Sequence, residues 1–311
     1  MKITALAGGV GGAKLAHGFS KILSGDEFKV VVNTGDDFEH FGLNISPDLD
    51  TVCYTLADIS NPITGWGRNN DSFHVLENIQ ALGGPNWFAL GDKDIAFHLE
   101  RTRRKKLGQS LTSISLDLEK AIGLNHKILP MCDEKVSTFV KTKEFGEIPF
   151  QEYFVKFRCE PTVKGFNFKG IDSAKITTEV EIAIKEADFV VVCPSNPFVS
   201  ILPIISLSGV KELLEYKYVV AVSPIIGGAA IKGPLGKMLQ ELGWDIHPKS
   251  ILKMYREFLN CFYVDTQDFD QKFENHSSSI IIKGENIFLP DIKSRKILAN
   301  QIINQFKEIR K

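Results

Sequence analysis

Short apolar runs alternate along this chain with stretches of helical periodicity, the pattern of a buried parallel sheet wrapped by helices. Ile3 to Ala7 predicts a first strand, Ala13 to Leu23 a helix, and Phe28 to Asn33 a second strand. After a turn at Ser46-Pro47, Thr51 to Ala57 continues as a helix. Phe189 to Cys193 and Tyr218 to Val222 predict two further buried strands, each ending at a proline-containing loop. A helix from Thr178 to Ala187 leads into the first of them, and Ser294 to Ile309 predicts a last helix packed outside the sheet. The expected class is therefore α/β, a Rossmann-like and mostly parallel sheet with helices on both faces.

The middle of the chain has a different pattern. Residues 65–125 are mostly helical, with Asp71 to Leu82, Asp92 to Lys105 and Leu111 to Gly123 as the helices. Residues 135–170 alternate and carry aromatics, as in Thr138-Phe139-Val140 and Tyr153-Phe154-Val155-Lys156-Phe157, which predicts a small antiparallel or mixed excursion. No repeat, low-complexity tract or long linker interrupts the pattern. The expectation is a single α/β domain over residues 1–311, with about 65–170 as an inserted helical and mixed region.

Composition narrows the possibilities. The 311 residues are 43% hydrophobic and 24% charged, enough to bury a sizeable core. A formal net charge of −1 gives no global attraction to nucleic acid or to an acidic membrane. The basic run Arg101, Arg103, Arg104, Lys105 and Lys106 is expected to be a solvated helix end. Five scattered cysteines with no CxxC indicate neither a disulfide framework nor a zinc site. No run approaches the roughly 20 apolar residues that span a bilayer, and the apolar N-terminal stretch is too short for a signal peptide. A cytoplasmic protein is expected.

Three loops carry candidate chemistry. Gly8-Gly9-Val10-Gly11-Gly12-Ala13-Lys14 follows the first strand and opens a helix. Glycines there let the backbone approach a phosphate, the helix N-terminus offers unpaired N–H groups, and Lys14 adds a charge. The loop is not a Walker A sequence, and Lys14 stands where a dinucleotide fingerprint has its third glycine. A merely tight turn is the plain alternative. Asn33-Thr34-Gly35-Asp36-Asp37 puts two carboxylates at the carboxyl end of the second strand, where open parallel sheets bind ligands, although a solvated turn has the same composition. Ser46-Pro47-Asp48-Leu49-Asp50-Thr51 sets Asp48 and Asp50 at a helix start. The helix dipole accounts for one of them. Beside a phosphate the pair suits Mg²⁺, which takes a few hard oxygens and shares the rest with water.

Other segments are less specific. Pro194-Ser195-Asn196-Pro197 and Ser223-Pro224-Ile225-Ile226-Gly227-Gly228 each end an apolar strand and present small polar groups to a ligand, or are simply rigid turns. Lys232-Gly233-Pro234 begins another helix and is a possible phosphate contact. Trp87-Phe88-Ala89-Leu90-Gly91-Asp92-Lys93-Asp94 joins aromatic surface to charge at a helix start. It suits a flat aromatic substrate, or equally a core tryptophan with a capping Asp92. His98 has no carboxylate partner in the local sequence and is expected to be structural. The absence of Gly-x-Ser-x-Gly and HExxH argues against hydrolase triads and zinc proteases.

Taken in order, these segments, with Leu129-Pro130-Met131 between them, resemble the 2-phospho-L-lactate transferase family (CofD) of coenzyme F(420) biosynthesis nearly end to end. The resemblance implies a Mg²⁺-dependent enzyme and a homodimer. The donor would be a guanosine diphosphate carrying 2-phospholactate or a related three-carbon acid. The acceptor would be the riboflavin-like deazaflavin FO, to which Asp50 is the contact that carries over, and the 65–170 region would carry part of the acceptor site. Asp48 and Asp50 would hold the metal and serve catalysis. Gly9, Gly11, Gly12, Lys14, Asn33, Asp36, Lys93, Ser195, Asn196, Ser223, Pro224, Ile225 and Gly227 would bind the substrates. Ala89 stands where some members have a basic residue, with Lys93 as its expected replacement, and Gly12-Ala13 stands where many have Thr-Pro. Two other readings compete. A non-enzymatic nucleotide-sugar-binding regulator of the YvcK-like branch lacks the Ser-Pro-Asp-Leu-Asp segment. A nicotinamide dehydrogenase needs an acid where Asn33 and Thr34 stand.

Overall fold

A computed structural model describes residues 1–231, 233–269 and 279–310. The first half contains β1 (Ile3–Ala7), α1 (Gly9–Ser20), β2 (Phe28–Val32), a hairpin of β3 (Phe38–His40) and β4 (Leu43–Ile45), and then α2 (Pro47–Leu56), α3 (His74–Ala81), α4 (Asp92–Lys106) and α5 (Leu111–Ala121). Next come β5 (Lys127–Pro130), β6 (Ser137–Thr142), β7 (Gly146–Pro149), β8 (Val163–Lys169), α6 (Thr178–Glu186) and β9 (Phe189–Val192). The remainder holds α7 (Leu202–Ile205), α8 (Val210–Glu215), β10 (Tyr218–Val222), a small hairpin of β11 (Ile225–Ile226) and β12 (Ala229–Ala230), α9 (Leu235–Glu241), α10 (Pro248–Tyr255), β13 (Cys261–Asp265), β14 (Ile281–Glu285) and α11 (Ile292–Ile309).

Seven strands form the central sheet in the order β14-β13-β10-β9-β1-β2-β5, and every neighbouring pair is parallel. This is the expected Rossmann-like α/β fold. Its strands are apolar throughout because both faces are covered. Ala5, Ala7, Val30, Val32 and Val191 belong to a core that includes Leu15, Phe19, Leu298 and Ile302. Their neighbours Leu6, Val31, Val190 and Val192 belong to the core on the opposite face, with Ile184, Ile204 and Leu214. Chain order reverses between β1 and β9, so the loops leaving those two strands flank the crevice where such sheets bind ligands.

Several elements differ from the sequence expectations. Helix α1 begins at Gly9, inside the glycine loop, rather than at Ala13. The central strands β5, β13 and β14 were not anticipated. Because β5 pairs with β2 inside the main sheet, residues 65–170 are not one excursion. They form a helical piece before β5 and, after it, the antiparallel sheet β7-β6-β8. Glu152–Lys156 is a helical turn rather than a strand, closed by the Phe157 N–H donating to the Glu152 carbonyl at 2.8 Å. Among the described residues no helix is long and apolar enough to cross a membrane.

Candidate functional site

Two loops meet at the β1/β9 crevice. The Ser195 hydroxyl accepts from the Gly8 N–H at 3.1 Å and donates to the Gly8 carbonyl at 2.8 Å, tying the loops together. The glycines allow this approach: a Cβ at Gly8 would strike Asp48 and Ser200, one at Gly11 the Pro194 carbonyl, and one at Gly12 the Ser195 hydroxyl. Gly9 has φ +62°, a left-handed conformation that disfavours side chains. Gly8 at the N-cap has no side chain to cap α1, so beyond the Gly9 N–H, which faces Asp48, the first turn offers backbone N–H groups and the positive dipole end to the crevice.

Facing this turn is a buried carboxylate pair. The Asn33 side-chain amide donates to Asp36 Oδ1 at 2.7 Å, to Asp48 Oδ2 at 3.0 Å and to the Val199 carbonyl at 3.1 Å. Gln151 Nε2 donates to the other Asp36 oxygen at 3.0 Å. Burial, and then the charges of Asp48 and Asp37, hold Asp36 well above the usual carboxylate range. Burial pushes Asp48 up to about 6, opposed by hydrogen bonds from Asn33, Ser200 and the Gly9 backbone.

Asp50 faces elsewhere. Residues two apart on a helix point to different sides. Asp48 turns to the glycine loop, whereas Asp50 turns to α4. The Arg101 guanidinium donates to both Asp50 oxygens, with Nη1 at 3.0 Å from Oδ2, and His98 Nδ1 lies 3.4 Å from Oδ2. The expected arrangement of Asp48 and Asp50 across one ion is therefore replaced by Asp48 beside Asp36 and Asp50 beside Arg101.

Two further expectations change here. Arg101 is not part of a solvated helix end; it is 1% exposed. Burial opposes its charge, but Asp50 outweighs that and raises its affinity for the proton. Its neighbours keep the surface role: Arg103, Lys105 and Lys106 are exposed, and Arg103 and Arg104 pair with Glu100. His98 lies beside a carboxylate after all, but burial lowers it to about 4, and the neutral imidazole's Nδ1 accepts from Arg101 Nη1 at 3.3 Å. A local signal existed: Asp94, His98, Arg101 and Thr102 follow helical spacing and form the buried face of α4. That face docks on the β3-β4 hairpin, where Thr102 Oγ1 accepts from the Asn44 N–H at 2.7 Å.

These groups share a cavity of about 640 Å³ with aromatic walls. One wall carries Trp87 and Phe88, packed on Phe38 at ring separations of 6.0 and 4.9 Å. Another carries Phe150 and Phe154, stacked at 5.5 Å. The first wall is held by reciprocal caps. Asp71 accepts from the N–H of Lys93 at 2.9 Å and of Asp94 at 3.3 Å, while Asp92 accepts from Ser72 Oγ and from the N–H of His74 and Val75. Asp92 thus takes its capping role.

The remaining candidates divide. Gly9, Gly11, Lys14, Asp36, Ser195, Asn196 and Pro224 line the cavity with Asp48 and Asp50. Gly12 and Asn33 lie behind it as supports. Ser223 and Ile225 bond to each other at 3.0 Å, and the Gly227 N–H donates to Asp268, so these three shape the loop behind Pro224 rather than line the cavity. Lys93 also turns away, donating to the carbonyls of Asn69 and Asn70 at 3.3 and 2.6 Å, and does not replace a cation at Ala89. Lys232 lies outside the described residues.

Comparison with known proteins gives a consistent result. The family model of the 2-phospho-L-lactate transferase CofD matches residues 3–305. A 2-phospho-L-lactate transferase of Methanosarcina acetivorans is 41% identical over 304 residues, covering 98% of this chain and 99% of the relative. That of Methanosarcina mazei is 37% identical over 300 residues, covering 96% and 99%. A phosphoenolpyruvate transferase of Streptomyces griseus is 36% identical over 317 aligned positions, covering both chains completely. Among solved structures, a UPF0052 family protein of Bacillus halodurans has the same fold, with a TM-score of 0.62 at 13% identity over 97% of this chain and 99% of that one.

Proposed function

The chain belongs to the 2-phospho-L-lactate transferase CofD family, and from that premise we propose the reaction it performs. It moves a phosphate-linked three-carbon acid, 2-phospholactate or phosphoenolpyruvate, from a guanosine diphosphate donor to a hydroxyl of the deazaflavin FO, and GMP is released. One observation carries this reading: a single cavity joins a glycine-lined helix N-terminus, a buried carboxylate pair and aromatic walls. The first suits a diphosphate and the last a flat tricyclic ring.

The acceptor hydroxyl attacks the phosphorus that bears the three-carbon acid. The new O–P bond forms, the bond to the bridging oxygen breaks, and the hydroxyl proton ends on the departing phosphate of GMP. The backbone of Gly9 to Gly11 holds the donor diphosphate. Asp50, fixed by Arg101, accepts a hydrogen bond from the acceptor and aims its oxygen. Such reactions depend mainly on positioning and charge neutralisation.

The donor set at Asp36 and Asp48 fits Mg²⁺, because two buried carboxylates that repel one another gain from a hard divalent cation. Asp50 fits less well, since Arg101 engages both of its oxygens. When bound, the ion would neutralise diphosphate charge.

Incubation of the protein with FO, each guanosine diphosphate-linked acid and Mg²⁺, followed by mass measurement of the deazaflavin, tests the reading. A phospholactyl or phosphoenolpyruvyl adduct is expected. No new deazaflavin species with any donor would overturn it.

A further inference from the structure

Beyond the residues that hold the donor, the cavity floor contains two polar atoms that the mechanism above does not use. Tyr54 is 1% exposed and Asp94 is 7% exposed, and both line the cavity. Tyr54 Oη and Asp94 Oδ1 are buried and have no hydrogen-bond partner among the described residues. The two side chains face one another in a contact too long for a well-formed hydrogen bond, yet close enough for the Tyr54 phenol to stabilise the Asp94 carboxylate. Leaving buried polar atoms unsatisfied costs free energy, so a pair of them at one spot in a cavity calls for an explanation.

Both side chains are rigidly placed. Phe97 packs edge-on against the Tyr54 ring at 5.5 Å, and the Arg68 guanidinium covers that ring at 5.0 Å. The Asp94 backbone N–H is fixed by Asp71 at the start of α4. Asp50, the residue assigned to the acceptor, lies close enough to act on both through its charge.

We propose that Tyr54 and Asp94 together read one hydroxyl on the polyhydroxylated side chain of the acceptor, the phenol donating to its oxygen while the carboxylate accepts its proton. The chemistry selects a hydroxyl. A carbonyl satisfies only the phenol and an N–H only the carboxylate, whereas an O–H is donor and acceptor at once. This pairing rests on the deazaflavin reading above and adds to it a determinant of acceptor recognition, separate from the transferred hydroxyl. The aromatic walls favour a flat ring of many kinds, and the pair favours one that carries a hydroxylated chain.

The test uses Tyr54→Phe, Asp94→Asn and the double variant, with FO and a set of FO analogues each lacking one side-chain hydroxyl, at pH 8. Each variant is close to isosteric and gives up only the long Tyr54–Asp94 contact, so thermal midpoints should stay within a few degrees of wild type. FO binding, followed by fluorescence titration without donor, should weaken by about tenfold in each single variant. GDP affinity should not change. The double variant should be little worse than the weaker single one, because both groups hold the same hydroxyl. One analogue should bind wild type as weakly as FO binds the variants, and should be insensitive to both substitutions. Unchanged FO binding in both single variants, or equal losses with every analogue, would overturn the pairing alone. No FO binding to wild type would overturn the acceptor reading itself and the pairing with it.

Discussion

Arg101 grips both carboxylate oxygens of Asp50 from 51 residues further along the chain. The contact joins α2 to α4, two helices that both line the cavity. A buried ion pair is a weak source of net stability, but removing one partner leaves an uncompensated buried charge. Arg101→Gln should therefore cost about 3–5 kcal/mol in urea denaturation. The Arg101→Gln, Asp50→Asn double variant should cost less than the single one, because neither charge is left alone.

Lys93 distinguishes a structural lysine from a ligand contact. Its ammonium is engaged by the carbonyls of Asn69 and Asn70 on the outer side of the loop. Lys93→Met should change the KM for either substrate by less than about twofold, since an exposed polar contact contributes little. A tenfold rise in donor KM would restore it to the binding site.

Much of the fold was legible because the central strands are short, apolar and followed by glycine or proline loops, as at Ala7-Gly8 and Cys193-Pro194. Strand β13 was not, because Cys261-Phe262-Tyr263-Val264-Asp265 mixes polar with apolar groups although all five are buried. Asp265 is accommodated there by the Gln267 backbone N–H at 3.1 Å, a contact beyond the strand itself. The glycine loop and Asp48 were legible for the same local reason, that strand-to-helix turns expose backbone. The partners of Asp50 were not. They depend on α4 docking against the β3-β4 hairpin, and nothing near Asp50 in sequence encodes that docking. A run of arginines read as a surface feature concealed one that is buried, and the helical spacing of Asp94, His98 and Arg101 was the signal that distinguished it.

Stability should depend on pH through the carboxylate pair. Folding raises the proton affinity of Asp36 and Asp48, the latter from 3.8 to about 6. Below the unfolded value both states are protonated and the pair exacts no penalty. As pH rises through about 6, the folded chain must ionise groups that burial disfavours, and stability falls. A divalent cation at the pair reverses this, since it favours the ionised form. Added Mg²⁺ should raise the thermal midpoint at pH 8 and leave it unchanged at pH 4.5. An equal response at both would place the ion elsewhere.

The aromatic walls make the last prediction. Phe154 is 39% exposed although it stacks on buried Phe150, and an apolar ring left open beside a cavity is a natural platform for another ring. Trp87 lines the same cavity from a loop whose position depends on the Asp71 and Asp92 caps rather than on core packing. Stacking of a flat heterocycle on such a side chain contributes about 1–3 kcal/mol. Phe154→Ala should therefore raise the KM for FO by about tenfold or more and leave the KM for the guanosine donor unchanged, because the proposed diphosphate site is the first turn of α1. Asp71→Ala should act in the same direction without touching the ligand, since it frees the N–H groups of Lys93 and Asp94 and loosens the Trp87 wall. Initial-rate measurements with each substrate varied in turn separate the two effects. If Phe154→Ala instead raised the donor KM, the two ends of the cavity would have to be exchanged.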